Sequence, residues 1–283
     1  MLRKITFKGN PLTLVGRKIK IGDPAPDFKV VLQDLTVLGI SAFSSKIKVL
    51  TSFPSLDTPV CDLQVKEFNR KALNASKDVM VVGISKDLPF AQKRFCLAHD
   101  INNIVIVSDY RTSSFGINYG LLIKELNLLA RSILIVDQDN IVRYIQVVEE
   151  LTNAPDYEDA IKNLELVRKN PKLADNKNVL SRCRPCEGRA AALSKQNAEG
   201  LLGKIDGWQL VEDKKIVKEF IFKDFIEAKY FLDLVSVVAE EQAHHPTLTL
   251  IYNKLKVTLT THAVGGLSEN DFIMARMIDE LCA

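Results

Sequence analysis

The sequence predicts two folded units on one chain, an α/β layer fold followed by a smaller α+β unit. Three observations predict it. Through residue 167, short apolar runs rich in Val and Ile alternate with stretches of helical apolar spacing, as strands and their covering helices do. Residues 168–190 are polar, rich in Lys, Arg, Asn and Asp, and carry no hydrophobic period, so they read as a linker. Residues 191–283 hold fewer and longer elements, the pattern of a sheet packed on one side by helices.

Taken in order, a hairpin with a polar tip at Gly9-Asn10 opens the chain. Strands are expected at Lys48 to Phe53, Val79 to Ser85, Ile104 to Ser108, Ile133 to Val136 and Ile141 to Val147. Between them, Val60, Leu63, Phe68 and Ala72 recur at near-helical spacing behind Pro59, a residue suited to the first turn of a helix, and Pro89 to His99 is also helix-like. In the second part a helix follows Ser194 and a strand lies near Ile216 to Phe222. A long helix repeats Phe225, Ala228, Phe231, Leu232, Val235, Val238 and Ala239 behind an Asp224 N-cap, with Pro246 as its stop. Strands Thr247 to Tyr252 and Leu255 to Thr261 follow, joined by a turn at Asn253-Lys254, and the second delivers His262. A final helix starts at Glu269.

Composition excludes several classes. With 283 residues, each part is long enough to build its own core. The 38 basic and 35 acidic residues are interspersed, so the net charge of +3 forms no nucleic-acid stripe. No apolar run approaches the roughly 18 residues that a membrane span needs. Met1-Leu2-Arg3-Lys4 leads into alternating Ile5-Thr6-Phe7-Lys8 and not into a secretory apolar core, so a cytoplasmic address is expected. Five cysteines suit that compartment, where disulfides are transient and catalytic.

The densest chemistry lies in Pro54-Ser55-Leu56-Asp57-Thr58-Pro59-Val60-Cys61, which sets a thiol and a hydroxyl three residues apart on a proline-stiffened turn. A cysteine in the first turn of a helix faces the positive end of the dipole, an arrangement that favours the thiolate. Pro-x-x-x-Thr-x-x-Cys resembles the peroxiredoxin active-site motif, and the run from Pro54 to Asp62 resembles its thiol-peroxidase branch. The resemblance takes in Gly22 to Phe28, Ile84 to Ala91, Arg94-Phe95-Cys96, Asp109-Tyr110-Arg111 and Ala130-Arg131, and covers residues 1–167. It implies a thioredoxin-like fold in which Cys61 is the peroxidatic and Cys96 the resolving cysteine. Thr58 and Arg131 hydrogen-bond the thiolate and the peroxide, and Pro54 borders the substrate. By pattern alone Cys96, behind Phe95, fits an ordinary core position. Thioredoxin is the electron donor that the family implies. Because helix-borne cysteines need to come within about 7 Å to bond, turnover includes a local unwinding step.

A second constellation closes the chain, where His244, His245 and His262 fall within nineteen residues beside Glu240. Glu240 and Glu241 at a helix C-terminus oppose its dipole, at a cost of a few tenths of a kcal/mol. Spacing and composition leave two readings open, a metal site or an acid–base cluster around a polar ligand. Glu240-x-x-x-His244-His245-Pro246 with Tyr252, His262 and Asp271 resembles pterin-4a-carbinolamine dehydratase. The match extends to Trp208, to Phe220 through Phe225 and to Thr261 through Ser268. That resemblance implies metal-free dehydration of a 4a-hydroxytetrahydropterin. In it His244, His245 and His262 share the acid–base work, Glu240 orients or binds, and Trp208 lies against the pterin. Asn270 departs from the pattern, since a relative carries arginine there.

Within the linker, Cys183-Arg184-Pro185-Cys186 is either an accessory segment or a tethered dithiol that reduces a Cys61–Cys96 disulfide. The expected whole is therefore a bifunctional enzyme with no tightly bound cofactor and no metal. Reduced thioredoxin is its partner, peroxide and pterin its substrates, and a homodimer or higher homo-oligomer its assembly. Two other readings compete: a peroxidase with a silent C-terminal dimerisation or binding module, and a redox sensor of the same fold.

Overall fold

The computed structural model describes residues 3–43, 46–72, 78–169, 183 and 192–281, and these fall into two compact units, Met1–Leu180 and Ser181–Ala283. The first unit opens on strands β1 (Arg3–Phe7) and β2 (Asn10–Val15), then β3 (Val30–Val31), β4 (Val37–Leu38) and β5 (Ile47–Ser52). Helix α1 (Pro59–Ala72), β6 (Val79–Ser85), α2 (Pro89–Ala98), β7 (Val105–Ser108) and α3 (Ser114–Asn118) follow. Strands β8 (Leu122–Ile123), β9 (Leu128–Leu129), β10 (Ser132–Val136) and β11 (Val142–Val147) lead to α4 (Tyr157–Lys169). A seven-stranded sheet runs β11-β10-β5-β6-β7-β3-β4, parallel at β5-β6-β7 and antiparallel elsewhere. A separate four-stranded sheet runs β1-β2-β8-β9. This is the thioredoxin-like peroxiredoxin arrangement that the sequence predicts.

Strand alternation divides the core into two faces. Leu50, Val82, Ile84, Leu134 and Val136 join one buried cluster with Phe28, Phe43 and Phe115. Val49, Val81, Ile106, Ile133 and Ile135 join the other, where Val65 and Phe68 of α1, Cys96 of α2 and Ala160 of α4 pack. Both cysteines thus sit over the same face of the sheet. Near the start of β5, Lys48 is wholly buried and its ammonium donates to the carbonyls of Lys46 and Asp137.

The core face of α1 differs from the expected one. Leu63 is 63% exposed, whereas Cys61, Gln64, Val65 and Phe68 turn inward. A polar and a reactive side chain take the places that apolar periodicity gives to Val60 and Leu63.

The second unit contains α5 (Lys195–Leu202), β12 (Gln209–Val211), β13 (Lys215–Ile221), α6 (Phe225–Gln242), β14 (Thr247–Ile251), β15 (Lys254–Leu259) and α7 (Glu269–Leu281). Its antiparallel sheet, β12-β13-β15-β14, buries Ile216, Phe220, Leu255, Val257 and Leu259 with Phe231, Val235 and Val238 of α6 and Met274 and Ile278 of α7. It is the α+β unit expected. Asp224 caps α6, its carboxylate accepting the Glu227 N–H at 2.9 Å. Three expectations shift here. Helix α6 ends at Ala243, whose left-handed backbone (φ 50°) stops it three residues before Pro246. The hairpin turn is Tyr252-Asn253, because Ile251 pairs with Lys254 and Asn253 is held by Phe222, donating to its carbonyl at 2.8 Å and accepting its N–H at 2.9 Å. And β15 stops at Leu259, so His262 opens a short 3-10 turn, His262–Val264, instead of ending a strand.

Candidate active sites

The loop between β5 and α1 buries Phe53, Pro54 and Leu56 and then enters α1 through Pro59, whose missing N–H is not needed at a helix start. Cys61 follows in the first turn, its N–H donating to the Thr58 carbonyl at 3.1 Å. Its sulfur is fully buried and unbridged. The Thr58 hydroxyl donates to it at 2.7 Å and also lies 3.2 Å from the Ser55 carbonyl. A hydroxyl has one proton, so these two acceptors compete for it. With Cys61 as a thiolate the proton belongs to sulfur.

Arg131, between β9 and β10, is 2% exposed and aims Nη2 at the Cys61 sulfur at 3.4 Å. The same nitrogen donates to the Leu151 carbonyl at 3.0 Å, and Nη1 donates to Gln64 Oε1 at 2.6 Å. Gln64 is fixed in turn, its amide donating to Thr51 Oγ1 at 2.6 Å and the Ser52 carbonyl at 3.3 Å. No carboxylate among the described residues pairs with Arg131. A buried guanidinium without a counter-ion is costly, and the sulfur of Cys61 is the group beside it that can carry the missing negative charge.

Cys96 lies on α2, buried in the same apolar cluster, with Gln33 Nε2 donating to its sulfur at 3.2 Å. Burial pushes its thiol above the usual cysteine range, and the Gln33 contact only partly opposes this. The two cysteines therefore stand in different surroundings, one facing a cation and a hydroxyl, the other an amide and apolar side chains. Tyr157, which packs edge-on to Phe68 at 5.7 Å, feels the charges of both Arg131 and Cys61, although burial dominates and raises its phenol.

In the second unit the left-handed turn at Ala243 swings His244 against α7, where its Nε2 lies 2.9 Å from Asp271 Oδ1. Asp271 is completely buried. Its Oδ2 accepts the Thr261 hydroxyl and the Ser268 N–H, each at 2.8 Å. The carboxylate thus closes a capping arrangement at the start of α7 while fixing one nitrogen of His244. Thr261 also carries the chain straight into His262, which is exposed. His245 pairs instead with Glu240, Nε2 to Oε2 at 3.2 Å, both side chains being largely in solvent. Each of these histidine–carboxylate contacts is separate, and among the described residues no set of three His, Cys, Asp or Glu side chains converges as metal ligands do.

Trp208 is buried against Phe220, and its indole N–H donates to the Asp279 carboxylate, which also binds Lys218 at 2.7 Å. Cys183 donates its N–H to Gln242 Oε1 at 3.2 Å and its thiol to the Asn270 carbonyl at 3.7 Å, whereas Cys186 lies outside the described residues.

Family comparisons match the two units separately. A redoxin family model matches residues 20–161, half of the chain, and a pterin 4 alpha carbinolamine dehydratase model matches residues 191–281. A thiol peroxidase of Oceanobacillus iheyensis is 42% identical over 163 residues, 58% of this chain and 99% of that protein. The chain belongs to the thiol peroxidase family. A Bacillus subtilis thiol peroxidase is 45% identical over 161 residues, 57% of this chain and 96% of its own length. The crystal structure of a peroxiredoxin-like protein from Aquifex aeolicus is 40% identical and superposes with a TM-score of 0.55, covering 58% of this chain and 97% of that one. This thiol peroxidase is fused to a pterin dehydratase domain.

One residue of the thiol peroxidase site, Gln64, is not among those that the sequence singles out. Gln64 is polar in an otherwise apolar helix stripe three residues after Cys61, and that misplaced polarity was its signal. Asp271, named in the sequence through the dehydratase resemblance, gains its grip on His244 and its cap on the Ser268 N–H from the fold.

Proposed function

We propose that this chain reduces hydroperoxides at Cys61 and dehydrates a 4a-hydroxytetrahydropterin at His244. The observation that carries the first activity is the sulfur of Cys61 held between the Thr58 hydroxyl at 2.7 Å and the Arg131 guanidinium at 3.4 Å. The Cys61 thiolate attacks one peroxide oxygen, the O–O bond breaks, and the other oxygen leaves as water or an alcohol after taking a proton. Arg131 and Thr58 stabilise the charge that moves from sulfur to the leaving oxygen, and Pro54 shields the site. Cys61 is left as a sulfenic acid. The Cys96 thiol then condenses with it, forming a disulfide and water. A dithiol protein of the thioredoxin class reduces that disulfide and is itself oxidised.

For the second activity, loss of water from C4a needs a proton delivered to the hydroxyl and one removed from a ring nitrogen. His244, oriented by Asp271, is placed for one transfer. His245 with Glu240, and His262, face solvent and supply the other transfer and the ligand contacts. The buried His244–Asp271 pair supports this reading, since a binding surface has no need of a fully buried carboxylate aimed at an imidazole.

Steady-state assays test both halves. With thioredoxin, its reductase and NADPH, peroxide reduction disappears in Cys61→Ser, and Cys96→Ser gives a single turnover that leaves a trappable sulfenic acid. Carbinolamine dehydration disappears in His244→Ala. Dehydration no faster than buffer in the unaltered chain would leave the second unit as a binding module.

A further inference from the structure

Helix α2 is thinly attached to the first unit. Of its ten residues only Pro89, Gln92 and Cys96 are buried, while Phe90 and Leu97 are 65% and 73% exposed. Leu88 at its N-cap offers no side chain to the free amides of the first turn. An element with so little apolar burial depends on polar anchors, and those anchors converge on the residue just before it. Asp87 Oδ1 accepts the Ser55 hydroxyl at 2.7 Å, and Oδ2 accepts the Leu56 N–H and the Ser85 hydroxyl, each at 2.8 Å. The Asp87 carbonyl accepts the Ser108 hydroxyl at 2.5 Å. Gln92 Nε2 donates to Ser85 Oγ at 3.0 Å and to the Val107 carbonyl at 2.9 Å. Through Ser85 and Ser108 this cluster stands on the ends of β6 and β7.

From Asp87 the contacts run to the sulfur. Ser55, bound to Asp87 by its hydroxyl, offers its carbonyl to the N–H of Thr58 at 3.2 Å, and Thr58 contacts Cys61. We propose that Asp87 is a positioning residue that latches the Cys61 loop to the foot of the Cys96 helix, so that both segments release together when Cys61 is oxidised. An oxygen added to a fully buried sulfur crowds Thr58, and strain on that loop falls on Ser55 and thence on Asp87. Losing the latch frees α2 in the same event, and Cys96 reaches the sulfenic acid. The S–O bond then breaks, the S–S bond forms, and the hydroxyl leaves as water with the Cys96 proton. The chemical part rests on Cys96 being the resolving thiol, but the mechanical coupling does not.

The test is Asp87→Asn in the full chain, which puts a donor among the donors of Ser55, Leu56 and Ser85. In the reduced protein, hydrogen exchange of residues 53–58 and 89–98 is expected to rise together. Under excess hydrogen peroxide, which otherwise carries the sulfenic acid on to the sulfinic acid, the ratio of disulfide to sulfinic product is expected to rise about tenfold, as the loss of one hydrogen bond to a charged group allows. Ser55→Ala, which removes only the loop-side hydroxyl, shifts both readouts in the same direction by less, and it carries the test if Asp87→Asn does not fold. Exchange that rises in one segment alone, or a lower melting temperature with an unchanged product ratio, would overturn the latch. A disulfide that still forms in Cys96→Ser removes the resolving role instead, and leaves the exchange measurement to decide the coupling.

Discussion

At the buried sulfur of Cys61, a single-proton hydroxyl meets a guanidinium. The guanidinium is the stronger partner, because its charge persists at every working pH and its fork is held by Gln64 and the Leu151 carbonyl. Arg131→Met is therefore expected to lower kcat/KM for peroxide by about 10²–10³, the usual cost of losing a preorganised donor, with stopped-flow consumption of hydrogen peroxide as the measurement. Thr58→Ser keeps the hydroxyl and retains most of the rate, whereas Thr58→Val does not. Asp271 is the corresponding residue of the second unit, since its fully buried carboxylate serves a helix start and an imidazole together. Asp271→Asn is expected to abolish dehydration and to cost about 1–3 kcal/mol of stability in urea unfolding. Wild-type dehydration in that variant would remove His244 from the reaction.

Among the elements, α2 shows how packing sets chemistry. Burial raises the Cys96 thiol above its unfolded value, so folded α2 holds its proton where the unwound segment, with an ordinary pKa of about 8.5, has lost it. Stability from this source is complete below that value and falls as pH rises through the folded pKa. Disulfide formation from a pre-formed sulfenic acid is thus expected to accelerate above about pH 8.5, measured by quenched-flow mass spectrometry; a rate that falls over that range would contradict the assignment. Most strands and helices were legible because strand alternation and capping are local: β6 and α7 begin where residue pattern places them, and Asp224 caps α6 as its sequence implies. Misreadings cluster where function or distant pairing wins. Helix α1 turns Cys61 and Gln64 inward and leaves Leu63 outside, and the turn at Tyr252-Asn253 is set by pairing with Phe222, which no local window contains.

At the scale of the molecule, the two proposed chemistries fall on different compact units, Cys61 on the first and His244 on the second. Cys61→Ser is accordingly expected to leave dehydration unchanged, and His244→Ala to leave peroxide reduction unchanged, each followed by its own assay; loss of both activities in either variant would show that the two units are coupled. The motif from Pro54 to Cys61 and the histidine set made both families legible, because their chemistry needs those residue types at that spacing. The hydrogen-bond partners that tune them, Gln64, Asp87 and Asp271, come from the fold. The central claim is tested most directly by peptide mapping of the fully reduced chain after stoichiometric hydrogen peroxide. One intramolecular disulfide between Cys61 and Cys96 is the expected product, and a persistent sulfenic acid at Cys61, or a disulfide that joins Cys61 to any other cysteine, would contradict it.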